Sequence, residues 1–198
     1  MYMTIKILQK EEPVLRETAK EVAIEDITST KIKKVISEMK EALNSQDDGV
    51  AIAAPQIGYN LRIFVVSGKV DEIIAEAKRN KSKKTIDEIV DEKPPVRSPD
   101  MVYINPVMKK ISKERKNMEE GCLSVRYLYG QVNRAKKATV VAYDEFGNKF
   151  ERGGTSLVAQ IFQHEMDHLD GILFIDKAEN IEEILPEDIK KHERKSKK

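Results

Sequence analysis

The segment Gly153-Gly-Thr-Ser-Leu-Val-Ala-Gln-Ile-Phe-Gln-His-Glu-Met-Asp-His-Leu-Asp-Gly171 reads as a single helix. Thr155 and Ser156 are expected to cap its start, and Gly171 to stop it. Leu157, Val158, Ile161, Phe162, Met166 and Leu169 cover much of its circumference, which predicts a helix buried on most sides. That helix also carries His164-Glu-Met-Asp-His168, an H-E-x-x-H spacing. Side chains four apart share a helix face, so both imidazoles can reach one point, and Glu165 can address a water held there. Burying two histidines and a glutamate without partners is costly, and a divalent metal removes that cost. The competing reading is two core histidines satisfied by hydrogen bonds. With three histidines in the chain, this placement arises by chance well under about once in a hundred.

Two helical histidines need a third protein ligand. In the extended form H-E-x-x-H-x-x-G-x-x-H it is a histidine, but Phe174 stands at that place although Gly171 fits the glycine. Glu182, Glu183 and Glu187 are the carboxylate candidates. The lone Cys122, in Glu120-Gly-Cys-Leu-Ser-Val125, is the thiolate candidate, suited to zinc or ferrous iron. Residue type alone leaves this choice open.

Outward from the helix, Thr28 to Ser45 is also helical, with Ile32, Val35, Ile36, Met39 and Leu43 on one face. Leu61–Val66, Met101–Met108 and Ala138–Tyr143 read as strands, and Asp144–Asn148 as a turn leading into another. Ile172–Ile175 reads as a strand too. Residues 69–99 form a charged excursion with a helix expected over Asp71–Ala77. Strands and helices do not alternate regularly, so the fold class is α+β: antiparallel sheets packed around the buried H-E-x-x-H helix. The expected organisation is one catalytic domain over 1–176, followed by a charged helix or tail over 177–198.

The chain has 198 residues, 40% of them hydrophobic, enough for one core. Its 35 basic and 34 acidic residues nearly cancel, which argues against a dedicated DNA binder. No apolar run approaches the roughly 20 residues of a membrane span, and the opening lacks the layout of a secretory signal. One cysteine forms no internal disulfide and fits a reducing cytoplasm. No nucleotide-binding glycine motif is present. The basic tail, Lys190 to Lys198, reads as a solvated end, with contact to RNA or a ribosome as the alternative.

Together these segments resemble peptide deformylase. The family's G-x-G-x-A-A-x-Q is matched by Gly49-Val-Ala-Ile-Ala-Ala-Pro-Gln56, its E-G-C-L-S by Glu120–Ser124, and its Q-H-E-x-D-H by Gln163–His168, in the family's order. Pro13-Val-Leu-Arg16 resembles its opening segment. The resemblance implies that Cys122, His164 and His168 hold one metal, typically Fe²⁺ and replaceable by Zn²⁺, Ni²⁺ or Co²⁺. It implies Glu165 as general base, and the Gln56 amide and Leu123 backbone N–H as donors to the developing oxyanion. Gly49, Val50, Ala51 and Gly121 would border the substrate, an N-formyl-methionyl nascent peptide that is hydrolysed to formate and a free amine. Asp167 would support a histidine or cap nearby backbone. Ala51 replaces the motif's second glycine, Arg126 stands where a proline is frequent, and Tyr129 stands where some members carry arginine. These changes bear on substrate fit and leave the metal ligands intact. Two other functions stay in view: a small peptidase with a glutamate ligand, and a catalytically weak relative that binds nascent chains.

Overall fold

In the computed structural model, residues 5–81, 98–185 and 188 are described. Helix α1 spans Thr30–Asn44 and begins where the Ser29 hydroxyl accepts the Ile32 N–H. The five apolar residues read on its inner face are all buried. Helix α2 covers Lys69–Lys81, longer than the expected Asp71–Ala77. The remainder of the charged excursion, residues 82–97, lies outside the described residues.

Among the described residues, eight strands run in chain order: β1 (Ala51–Ala53), β2 (Ile63–Val66), β3 (Met101–Ile111), β4 (Arg115–Cys122), β5 (Val125–Ala135), β6 (Lys137–Tyr143), β7 (Lys149–Thr155) and β8 (Glu179–Glu183). They form a five-stranded sheet in the order β1-β2-β3-β6-β7 and a three-stranded sheet in the order β4-β5-β8. Every strand pairing within them is antiparallel. Helix α3, Leu157–Leu169, packs against β1, β2, β6 and β7 of the first sheet and against β5 of the second. The α+β class and the antiparallel sheets are as expected.

Three local expectations are corrected. Thr155 and Ser156 do not cap α3 with their side chains. Ser156 holds φ 49°, and its N–H donates to the Lys136 carbonyl at 3.0 Å, so a tertiary bond sets the helix start. Ile172–Ile175 is not a strand. Gly171 turns the chain at φ 73°, and Phe174–Asp176 is a short 3-10 turn whose Asp176 carboxylate accepts the Leu173 N–H at 2.9 Å. Leu173 and Phe174 thereby drop into a core with Leu15, Val125 and Val132. The segment from 177, read as charged helix or tail, enters as β8. Its five residues are all exposed, so backbone pairing with β5 holds it, not apolar side chains. The basic stretch 190–198 lies outside the described residues.

Gln163 ties α3 to the β5–β6 corner. Its amide accepts the Ala135 N–H at 2.9 Å and donates to the Ala135 carbonyl at 3.0 Å. It also donates to the Ala159 carbonyl at 2.8 Å. Beneath the helix, Phe64 stacks on Tyr103 with centroids 4.4 Å apart, and Phe162 meets both rings. Phe64 is wholly buried, so Phe64→Ala should cost about 3–5 kcal/mol in urea unfolding. Phe146, 74% exposed on the turn before β7, should change stability by under about 0.5 kcal/mol when replaced by Ala.

Candidate metal centre and substrate cleft

Helix α3 sets the His164 and His168 rings 5.0 Å apart in an edge-on arrangement. The end of β4 brings Cys122 against them. Its Sγ lies 3.1 Å from His168 Nε2, and one ligand atom from each of the three residues lies within 4.8 Å of the others. Among the described residues this is the one group of three or more such side chains that converges. Glu182 and Glu183 sit exposed on β8, outside it, and Glu187 lies outside the described residues.

Burial works to raise the Cys122 thiol, but the charge and hydrogen bonds of the two imidazoles outweigh it and bring it down to about 5. The thiolate in turn helps hold His164 well above the usual imidazole range despite its burial. Burial pushes Glu165 up to about 7. Two of the three buried polar side-chain atoms with no hydrogen-bond partner among the described residues, Glu165 Oε2 and His168 Nδ1, lie at this site; the third is Asn60 Oδ1. Unsatisfied buried polar atoms are rare in folded proteins. A thiolate facing two imidazoles, beside an unpartnered carboxylate oxygen, is a donor set that fits zinc or ferrous iron with a nearby water.

The cluster is braced from behind. Glu120 Oε2 lies 3.0 Å from His164 Nδ1, which leaves His164 Nε2 for the cluster. Arg134 grips both oxygens of Glu120, at 2.8 and 2.9 Å, and reaches Asp167 at 2.7 Å. Lys177 closes the chain on the other Asp167 oxygen at 2.7 Å. Burial would raise the Glu120 carboxyl, but Arg134 and His164 hold it down to about 2. Asp167 therefore supports a histidine only through Arg134 and Glu120. Arg134 is the residue that apolar patterning missed. It is 3% exposed and lies two residues from buried Val132 on the same side of β5, a parity the sequence does carry.

Across the cleft, Gln56 is buried. Its Oε1 accepts the Ala53 N–H at 2.8 Å, so its amide nitrogen turns toward the site. That nitrogen donates to Ser124 Oγ at 3.0 Å and lies 3.6 Å from Cys122 Sγ. Gln9 donates to the Leu123 carbonyl at 3.1 Å and so anchors the turn that follows Cys122. A cavity of about 280 Å³ joins these groups. Gly49, Val50, Ala51 and Gln56 form one wall; Gly121, Cys122 and Leu123 form the facing one.

The three departures from the family's motifs all border this cavity. Ala51 is 7% exposed and pairs with Val66, so its methyl is accommodated within β1. Tyr129 lies opposite Gly121, where any Cβ would come within 2.7 Å of its ring. Arg126 pairs with Asp48 at 2.7 Å and donates to Gln46 Oε1 at 2.5 Å, linking the β4–β5 turn to the loop before β1. Because Glu120 orients the His164 imidazole within this cluster, Glu120→Gln should weaken Co²⁺ binding about 10- to 100-fold in competition with a chromophoric chelator. All three donors remain in that variant.

The family model described as polypeptide deformylase matches residues 4–183, a span that includes β8. The chain is 38% identical over 180 residues to peptide deformylase 1A, chloroplastic/mitochondrial, of Arabidopsis thaliana. That match covers 87% of this chain but only 60% of the plant protein. It is 36% identical to the peptide deformylase of Carboxydothermus hydrogenoformans, with 89% of this chain and 94% of the relative covered. A Met-Ala-Ser-bound crystal structure of a class I type b peptide deformylase from Acinetobacter baumannii superposes with a TM-score of 0.70 at 27% identity. The superposition covers 89% of this chain and all of that one. With three motifs in order on one cleft and a family match over nearly its whole length, the chain belongs to the polypeptide deformylase family of enzymes.

Proposed function

We propose that this chain hydrolyses the formyl group from N-formyl-methionyl ends of nascent polypeptides, releasing formate. The observation that carries the reading is the convergence of Cys122, His164 and His168 beside a buried carboxylate oxygen of Glu165 that has no partner among the described residues. Cys122, His164 and His168 would hold one divalent cation, with Fe²⁺ the native ion in this reading and Zn²⁺, Ni²⁺ or Co²⁺ able to replace it. When bound, the cation supplies Lewis-acid polarisation of the carbonyl and acidifies the attacking water.

The chain's own residues do the rest. Glu165, raised to about 7 by its burial, takes a proton from the water that attacks the formyl carbon. The Gln56 amide, turned to the site by its bond from Ala53, and the Leu123 backbone N–H donate to the developing oxyanion. The carbon–nitrogen bond then breaks, and Glu165 passes its proton to the departing amine. Gly49, Val50, Ala51 and Gly121 flank the peptide as it leaves the site.

The place of action in this reading is the cytoplasm, where formylated chains emerge from ribosomes, and the basic stretch 190–198 is the segment suited to ribosomal contact. Among the described residues, no helix is long and apolar enough to cross a membrane.

Formate release from a formyl-Met peptide tests the function, using protein loaded anaerobically with Fe²⁺ or Ni²⁺. Turnover by wild type is expected, and its absence at one bound metal per chain would reject the substrate. Glu165→Gln should keep the metal and lose at least about 100-fold in kcat. Gln56→Ala should lose about 10²- to 10³-fold in kcat. Cys122→Ala should abolish stoichiometric metal binding, whereas retention would favour the peptidase with a carboxylate ligand.

A further inference from the structure

The cleft-facing residues of α3 are Leu157, Gln160, Ile161, His164 and Glu165, which is the spacing of a single helix face. His164 and Glu165 belong to the reacting end. Leu157, Gln160 and Ile161, one and two turns nearer the helix start, make the adjoining wall. The Cα of a formylated residue is two bonds from the formyl carbon. In the proposed reaction that carbon sits beside Glu165, Gln56 and Leu123, and this wall borders the same cavity.

Two of the three wall residues are apolar and Gln160 is not. Its Nε2 donates to the Glu119 carbonyl at 2.8 Å and to Glu120 Oε1 at 3.3 Å. Both partners are pure acceptors, so only the NH₂ end of the amide can face them. Its two hydrogens are thereby used. Glu120 is itself clamped by Arg134, so the amide cannot swing away without losing both bonds. What remains is Oε1, an acceptor that takes no hydrogen bond from the described residues.

We propose that Gln160 is a specificity-determining residue: its fixed amide oxygen lets the cleft take a formylated residue whose side chain ends in a hydrogen-bond donor, of the glutamine class, as well as the apolar methionine class. This rests on the deformylase reading and extends it to the identity of the first residue. An all-apolar wall would leave such a donor unpaired and reject it. One neutral hydrogen bond changes the preference by about three- to tenfold.

The test compares formyl-norleucyl-Ala-Ser with formyl-glutaminyl-Ala-Ser on the nickel-loaded full chain. Wild type, Gln160→Leu and Gln160→Met are each measured; the last preserves volume should leucine perturb folding. The norleucine-to-glutamine ratio of kcat/KM should rise about three- to tenfold in both variants, chiefly through KM for the glutamine peptide. Dissociation constants of the unformylated peptides, measured by calorimetry, should shift by the same factor. An unchanged ratio in both variants overturns the proposal. If wild type hydrolyses neither peptide, the deformylase reading fails, and the calorimetric ratio alone decides the role of Gln160.

Discussion

The structure turns on one electrostatic constraint: two imidazoles, a thiol and a carboxylate share the inside of one cleft, where none can be hydrated as it is in water. Charge taken out of water must be paired or neutralised. Here the groups answer one another. The imidazoles hold Cys122 as a thiolate near neutral pH, the thiolate helps hold the His164 proton, and Glu165 is left poised near neutrality by its burial. A donor set of that composition is arranged for a cation.

The same constraint explains the charged row behind it. His164 keeps one orientation because Glu120 occupies its Nδ1, and Glu120 stays ionised because Arg134 binds both of its oxygens. Asp167 and Lys177 carry the row to the surface. Removing any inner member would strand a buried charge, so the row is a support whose members stand or fall together. Gln160 attaches to it from the cleft side through Glu120, which places a wall of the cleft and the carboxylate that orients His164 in one hydrogen-bonded unit.

The scaffold makes these distances reproducible. Gln163 locks α3 to the β5–β6 corner, and the aromatic stack of Phe64, Tyr103 and Phe162 fills the space under it. The two sheets approach over the cleft, and Arg126 links their rims through Asp48 and Gln46. A tyrosine rather than a cation lies opposite Gly121, and the Arg126 charge is already answered by Asp48.

Helical spacing is a local property, and so α1, α3 and the shared face of His164 and His168 are legible from residues alone; so are the β-rich runs of β2, β3 and β6. Motif order pointed to Cys122, which the fold brings against both imidazoles, where residue type by itself left glutamates in contention. What depends on partners distant in the chain was not legible. Strand β4 is mostly exposed and β8 wholly so, and their backbones are held by pairing with β5, so neither has an apolar signature. Ile172–Ile175 has strand composition, yet the Asp176 carboxylate and a pocket under Val125 draw it into a turn. Arg134 looks like a surface cation until Glu120 and Asp167, from a different strand and a helix, close on it. Hydrogen bonds and ion pairs between elements far apart in sequence carry no periodicity, so only the folded chain could decide them.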